Sequence, residues 1–344
     1  MSNMNKQILL KSYPEGEPTA ADFEIVETAV PTPGDGEILV KTIYMSLDPY
    51  MRGRMSQAKS YSASAQIGDP MMGGGVGVVE QSNNPKFGVG NYVMSYPGWQ
   101  QYSLTDGTGV MKLDPGLAPI STAVGVLGMP GLTAYFGLLK IGQPKEGETV
   151  VVAAASGAVG SVVGQVARIK GARAVGIAGS ADKCAFVVEE LGFDACINYK
   201  DADFAEQLAA ACPDGIDVYF ENVGGKVFDT VMPLLNDFAR IPLCGLISQY
   251  NATSLPTGTN FLPALMRDML TKRMTLRGFI ISDHYEHLAD FLRDMGGWIA
   301  SGQLKYREDI VEGIENAPEA FIGLLKGANF GKLLVRVSDD PTRN

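Results

Sequence analysis

Histidine and cysteine are scarce in this sequence, and their scarcity excludes whole classes of chemistry. The chain of 344 residues holds two histidines, His284 and His287, and four cysteines, at positions 184, 196, 212 and 244. No C-x-x-C pair occurs, so neither a structural zinc site nor a disulfide frame has the spacing it needs. The cysteines read as reduced thiols of an intracellular protein. The two histidines stand at i and i+3 without an accompanying Cys, Asp or Glu cluster. They read as solvated helix residues, and no metal is expected. Runs of positive charge are also missing. A formal net charge of −10 opposes a nucleic-acid partner, because a phosphate-binding surface needs clustered Lys and Arg. Long apolar runs are missing too. Ile8-Leu9-Leu10 is too short for a signal-peptide core, which points to the cytoplasm. Ile120 to Leu139 is broken by Met129-Pro130-Gly131, which suits a packed helix pair rather than a membrane span.

What is present describes a globular chain too long for one core, so two domains are expected. Residues 1 to about 120 are rich in Gly, Pro and short strand-like runs, such as Glu37 to Tyr44, Met72 to Glu80 and Asn91 to Tyr96. Strands separated by turn residues predict a β-rich domain. From about Thr149 the rhythm becomes strand, helix, strand. Val159, Val162, Val163, Val166 and Ile169 fall on one helix face, and the alternation predicts a doubly wound parallel sheet of Rossmann type. The expected division is 1–125 for the β-rich domain, completed by about 315–344, and 126–314 for the α/β domain. The run Gly331 to Val337 alternates like a strand.

The α/β half opens on its most specific feature. Val150 to Ala153 reads as a buried strand, Ala154 to Gly160 as an A-x-x-G-x-x-G turn, and Gly160 to Gly164 as the start of a helix. That order builds a dinucleotide pyrophosphate site: the turn brings backbone close to the phosphates, and the helix N-terminus offers N–H groups and a positive dipole end. Gly157, Ala158, Val159 and Gly160 are the candidate contacts. An NAD site usually places a carboxylate about 20 residues on, for the ribose 2′-hydroxyl. Here the second strand ends in Gly179-Ser180, Lys183 follows one turn later, and Tyr199 ends the third strand. A small tip, a hydroxyl, a lysine and a phenol suit a 2′-phosphate, hence NADPH rather than NADH. Lys183 also reads as a solvated helix residue, although a lysine in a first helical turn opposes the helix dipole.

At the ends of later strands stand Asn222, after Asp217 to Glu221, and Tyr250, after the strand ending at Cys244-Gly245. Strand C-termini face the ligand crevice in such sheets. Tyr250 is the first candidate for a hydrogen-bond donor to developing negative charge, with a packed loop aromatic as the alternative. Tyr50, after the Asp48-Pro49 turn, is the second, and Tyr61 in a Ser-rich loop the weaker third. Asn222 reads equally as a turn or capping residue.

Five stretches together resemble one family: Ser46–Met55 (SLDPYMRGRM), Leu127–Tyr135 (LGMPGLTAY), Glu221–Gly225 (ENVGG), Cys244–Asn251 (CGLISQYN) and Asn329–Lys332 (NFGK). The family is the zinc-independent, NADPH-dependent medium-chain reductases, a group that includes prostaglandin reductases (leukotriene B4 12-hydroxydehydrogenases), plant double-bond reductases and bacterial curcumin reductases. Tyr250–Thr253 and Gly142–Glu148 resemble the curcumin reductases in particular. The likeness spans essentially the whole chain. It implies a GroES-like catalytic domain beside the Rossmann domain, with cofactor and substrate meeting in the cleft between them. Where the zinc alcohol dehydrogenases of the superfamily carry a catalytic Cys and a Gly-His-Glu motif, this chain has Ser-Leu-Asp-Pro and Gly-Gly-Gly stretches. The resemblance further implies that Tyr250 lies beside nicotinamide and substrate and that Tyr50 lines the substrate pocket. Asn329, Met129, Thr133 and Cys244 join the cofactor set by the same likeness. For Asn329 a turn role, and for Met129 and Thr133 packing at the domain junction, are the plainer readings.

The expected reaction is reduction of a C=C bond conjugated to a carbonyl. NADPH supplies hydride to the β-carbon, and donors stabilise the resulting enolate. Small hydrophobic enones are the expected substrates, and a homodimer is common among such relatives. Two other readings stand beside it. One is NADP-dependent alcohol oxidation, for which a zinc-free site is poorly equipped. The other is a non-catalytic NADPH binder of the quinone-reductase-like or crystallin type, against which both pocket tyrosines argue.

Overall fold

The computed structural model describes residues 4–254 and 261–343. In chain order its strands are β1 (Met4–Leu10), β2 (Phe23–Ala29), β3 (Ile38–Ser46), β4 (Gly75–Ser82), β5 (Tyr92–Ser95), β6 (Tyr102–Thr105), β7 (Met111–Leu113), β8 (Thr149–Ala153), β9 (Arg173–Ala178), β10 (Ala195–Asn198), β11 (Ile216–Phe220), β12 (Leu235–Leu243), β13 (Thr275–Gly278), β14 (Glu308–Glu312) and β15 (Lys332–Arg336). Its α-helices are α1 (Met51–Arg54), α2 (Met129–Phe136), α3 (Gly160–Ile169), α4 (Ala181–Glu189), α5 (Phe204–Ala211), α6 (Gly225–Val231), α7 (Leu262–Thr271), α8 (Leu288–Ala300) and α9 (Ala317–Leu325). The chain divides into two units, Met1–Gly128 with Asn251–Thr253 and Glu308–Asn344, and Met129–Tyr250 with Ser254–Arg307.

The second unit is a six-stranded parallel sheet in the order β10-β9-β8-β11-β12-β13. Numbered within the unit, that is 3-2-1-4-5-6, the doubly wound Rossmann order. The order reverses between β8 and β11, and ligands bind such sheets at the carboxyl ends of the strands at that point. The sequence of β8, Thr-Val-Val-Val-Ala, is apolar and β-branched because a central parallel strand is covered on both faces; all five residues are buried. Val162, Val163 and Val166 press α3 onto the sheet and are at most 1% exposed. On α2, Phe136 stacks on His284 with ring centroids 3.9 Å apart and lies 5.4 Å from His287. The two histidines are therefore packing residues and not solvated helix residues. Their segment Ile281–His287 is a 3₁₀ run with a non-helical kink at His284, and a flat imidazole covers aromatic surface well there.

The first unit is β-rich. Its larger sheet runs β14-β15-β3-β4-β5-β7, with β6 pairing the first half of β3, and β1 and β2 form a separate hairpin. Trp99, fully buried, stacks on Phe23 at 5.5 Å and meets Phe321 of α9 edge-on at 5.6 Å. This cluster takes Leu333 and Val335 from one face of β15, while Leu334 packs on the opposite face with Ile43 and Val76. The C-terminal strand is thus buried on both faces. The alternation expected for it is absent because β15 is an interior strand, held between β14 and β3.

Candidate active site

In the α/β unit the turn after β8 is tightly folded. Ala154 sits at φ +55°, a left-handed conformation that a residue with a side chain adopts at a cost. Its carbonyl accepts the Gly157 N–H at 2.9 Å. It also lies where a side chain on Gly160 would begin: a Cβ there would stand 2.3 Å from the Ala154 oxygen. Glycine at 160 is what lets α3 start directly over the strand end. The turn runs straight into the helix, the Ser161 N–H donating to the Gly157 carbonyl at 3.0 Å and the Val162 and Val163 N–H groups to the Val159 carbonyl at 3.1 Å, and the N-terminus of α3 carries the positive end of the helix dipole. Gly157, Ala158 and Val159 are each half-buried along this edge.

Neighbouring strand ends add side chains. Ser180 caps α4, its Oγ accepting the Lys183 N–H at 3.4 Å. The Tyr199 ring closes over Gly179, where a Cβ would stand 3.1 Å from Tyr199 Cε1. Lys200 Nζ lies 5.8 Å from the Tyr199 ring centre, and Lys226 Nζ donates to the Tyr199 carbonyl at 3.4 Å. Ser180, Lys183 and Tyr199 therefore share one strand-end region that offers hydroxyl and cationic donors, the chemistry a phosphate monoester requires. The donor set and the glycine turn fit a 2′-phosphorylated dinucleotide.

At the switch point Asn222 Nδ2 donates to the Ala153 carbonyl at 2.8 Å, so the asparagine braces the end of β8 from the end of β11. Beside it lies a residue that sequence reasoning missed. Glu221 is fully buried, and its carboxylate accepts the Gly224 N–H at 2.9 Å, the Val223 N–H at 2.5 Å and the Tyr219 hydroxyl at 3.0 Å. Burial pushes the Glu221 carboxyl pKa up despite these bonds. The Cys244 N–H donates to the Glu221 carbonyl at 2.9 Å. Burial, with the Glu221 charge, pushes the Cys244 thiol up to about 12, so this thiol is inert as a nucleophile. The loop beyond Cys244 is tied to the Glu221 loop, with Ser248 donating to the Val223 carbonyl through both N–H, at 3.0 Å, and hydroxyl, at 2.6 Å. Tyr250 folds back so that its hydroxyl accepts the Leu246 N–H at 3.4 Å, and a Cβ on Gly245 would stand 2.9 Å from that oxygen. On α2, Thr133 Oγ1 donates to the Met129 carbonyl at 2.8 Å.

The β-rich unit carries the other candidates. Tyr50 precedes α1, and burial, with the nearby Asp48 charge, raises its phenol pKa well above the ordinary value. It stays protonated, and able to donate, throughout the neutral range. Asp48 is itself engaged: Lys332 Nζ donates to it at 2.8 Å and to the Leu47 carbonyl at 2.9 Å, and the Ser46 hydroxyl donates to its other oxygen. Tyr61 is 58% exposed. Between the two tyrosines lies Arg54, its guanidinium carbon 5.7 Å from the Tyr50 ring centre and 4.5 Å from that of Tyr61. Arg54 stood inside the SLDPYMRGRM motif, but a charged residue gives no sequence signal of burial. Asn329 donates from Nδ2 to the Gly331 carbonyl at 2.8 Å and lines an open cleft of about 370 Å³ with Asp309 and Glu319. Among the described residues no group of three or more His, Cys, Asp and Glu gathers to hold a metal ion, and no helix is long and apolar enough to cross a membrane.

Comparison with known proteins adds to this geometry. Residues 6–113 match a family model described as the N-terminal domain of oxidoreductase, and residues 158–295 one described as zinc-binding dehydrogenase. The chain is 55% identical to the NADPH-dependent curcumin reductase of Escherichia coli (strain K12) over 98% of each chain. It is 42% identical to the NADP⁺-dependent 2-alkenal reductase of Nicotiana tabacum, covering 97% of this chain and 98% of that one. The crystal structure of CurA in complex with NADPH from Vibrio vulnificus is 57% identical and superposes with a TM-score of 0.95, covering 97% of this chain and 100% of that one.

Proposed function

The chain belongs to the zinc-independent medium-chain dehydrogenases/reductases, and from that premise we propose that it reduces the C=C bond of α,β-unsaturated ketones and aldehydes, curcumin-type enones among them, with NADPH. The observation that carries this reading is likeness along the full length to reductases of that chemistry, laid on a glycine turn and donor set that suit the cofactor. When bound, NADPH supplies the hydride for the β-carbon of the substrate.

The chain's own residues do the rest. Gly157, Ala158, Val159 and Gly160 hold the pyrophosphate through the close approach of the turn backbone and the α3 dipole. Ser180, Lys183 and Tyr199 hold the 2′-phosphate. Asn222, Cys244, Met129, Thr133 and Asn329 serve the ribose and nicotinamide end. Tyr250 and Tyr50 are the catalytic and substrate-binding phenols, with Tyr61 as a further substrate contact. Tyr250 donates to the substrate oxygen as negative charge builds there, a role worth more in the transition state than in the ground state. The α-carbon finally takes a proton, for which solvent suffices and no tyrosine is assigned. This assignment also explains the Gly245 position, because any side chain there would displace the Tyr250 hydroxyl.

The reading extends to a cytoplasmic homodimer, which the thiol-only cysteine usage suits in its first part; cell fractionation and analytical ultracentrifugation test the two parts. The reaction itself is tested by mass and NMR analysis of the product from a simple enone, because the saturated ketone and the allylic alcohol are isomers. A ketone two hydrogens heavier supports it, and an allylic alcohol refutes it.

A further inference from the structure

Among the described residues of the β-rich unit three cationic side chains are buried, Arg52, Arg54 and Lys332, at 6%, 7% and 4% exposure. Lys332 is paired with Asp48. Arg52 donates to Asn251 Oδ1 at 3.0 Å, to the Gly16 carbonyl at 2.7 Å and to the Pro14 carbonyl at 3.4 Å. Arg54, two residues along the same short helix, has no oxygen acceptor among the described residues, and its Nε is buried without a hydrogen-bond partner. Arginine does not escape burial by losing its proton. Its two aromatic neighbours attract the positive charge but accept no conventional hydrogen bond, so the Nε–H stays unsatisfied. A buried guanidinium with an unmatched Nε–H, set between two rings, has the chemistry to receive an anion. One ring, Tyr61, is mostly exposed. The Ser56 to Ser64 segment that carries it is fastened back over Arg54 by the Ala65 N–H to Arg54 carbonyl bond of 2.9 Å.

We propose that Arg54 binds the carboxylate of an enone substrate that carries one at the end remote from the reacting double bond. This rests on the reading of the chain as an enone reductase with Tyr50 and Tyr61 at its substrate. A carboxylate presents two coplanar oxygens to two parallel N–H donors, the match arginine makes best. Asp48, the acid of the same segment, is already committed to Lys332 and Ser46, so the counter-charge comes from outside the chain.

The test compares 3-nonen-2-one with 8-oxonon-6-enoic acid, the same chain ended by a carboxylate. The readout is the ratio of kcat/KM for the acid to that for the neutral enone. Arg54→Met lowers this ratio about 10- to 100-fold, the loss expected for one charge-assisted pair, and mainly through KM. Arg54→Lys, which keeps the charge without the fork, falls between and serves if the methionine variant folds poorly. Thermal unfolding checks both. Calorimetry supplies a readout free of turnover: wild type binds 8-oxononanoic acid more tightly than 2-nonanone, and Arg54→Met removes the difference. Equal loss on both substrates with an unchanged ratio would assign Arg54 to packing and overturn the proposal, as would wild type binding the keto acid no better than the ketone. Failure of wild type to reduce either enone would instead overturn the functional reading, and the calorimetric difference alone would then decide the anion site.

Discussion

Replacing Gly160 with alanine places a methyl group 2.3 Å from the Ala154 oxygen and 2.8 Å from the Ala154 carbonyl carbon. Both are backbone atoms, so no side chain can rotate away. Relief requires a shift of about 1 Å between the end of β8 and the start of α3, an overpacking of a kind that costs about 1–3 kcal/mol. For a unit of this size that lowers Tm by roughly 2–10 °C. The same shift misplaces the backbone donors of the turn, and losing one or two charge-assisted bonds of about 1.5–3 kcal/mol each weakens NADPH binding by about 10-fold or more. Gly157→Ala is the internal comparison. A Cβ there meets only the Ala154 oxygen, at 3.2 Å, with open space otherwise. The fold therefore accommodates it with a Tm within about 2 °C of wild type, while the methyl occupies space the account gives to the pyrophosphate. Fluorescence titration with NADPH and thermal unfolding read the two effects separately. Wild-type NADPH affinity and wild-type Tm in Gly160→Ala would refute the reasoning about the turn.

Lys183→Ala raises KM for NADPH by about 10- to 100-fold and for NADH by less than about threefold, because only the former carries the 2′-phosphate; equal effects in steady-state kinetics would remove Lys183 from that role. Tyr250→Phe lowers kcat by about 10²-fold with NADPH affinity nearly intact, as expected for loss of one donor to developing charge, and single-turnover kinetics with unchanged rates would exclude it. The Glu148–Arg240 pair sets part of the acid stability of the α/β unit. Burial alone would raise the Glu148 carboxyl pKa, but hydrogen bonds from Arg240 and the Lys145 N–H outweigh it and hold it below the ordinary value. A depressed folded-state pKa contributes stability that is present above the unfolded value and lost as pH falls through the folded one. Arg240→Met accordingly flattens the fall of Tm between about pH 5 and pH 3; parallel wild-type and variant profiles would contradict this.

The α/β unit was legible because its signals are local. A β-branched strand, a glycine turn and a valine-faced helix are contiguous from Thr149 to Ile169, and the parallel, doubly wound sheet follows from βα alternation. The donor types at Ser180 and Lys183, just after β9, and at Tyr199, just after β10, could be proposed for the same reason. What escaped is non-local. Nothing in the sequence around Glu221 announces a buried carboxylate, since its three donors come partly from a turn that must fold first. Arg54 and Lys332 look like surface charges until the sheet brings residue 332 beside residue 48. The histidines were misread because their cover, Phe136, lies well over a hundred residues earlier. β15 was expected to alternate because its second covering layer comes from elements distant in sequence.

The measurement that bears most directly on the central claim is reduction of 3-nonen-2-one with NADPH deuterated at the transferred position and no added metal, followed by mass and NMR analysis of the product. The account predicts the saturated ketone with deuterium on the β-carbon. Deuterium on the carbonyl carbon of an allylic alcohol, or no turnover by protein shown to bind NADPH, would contradict it.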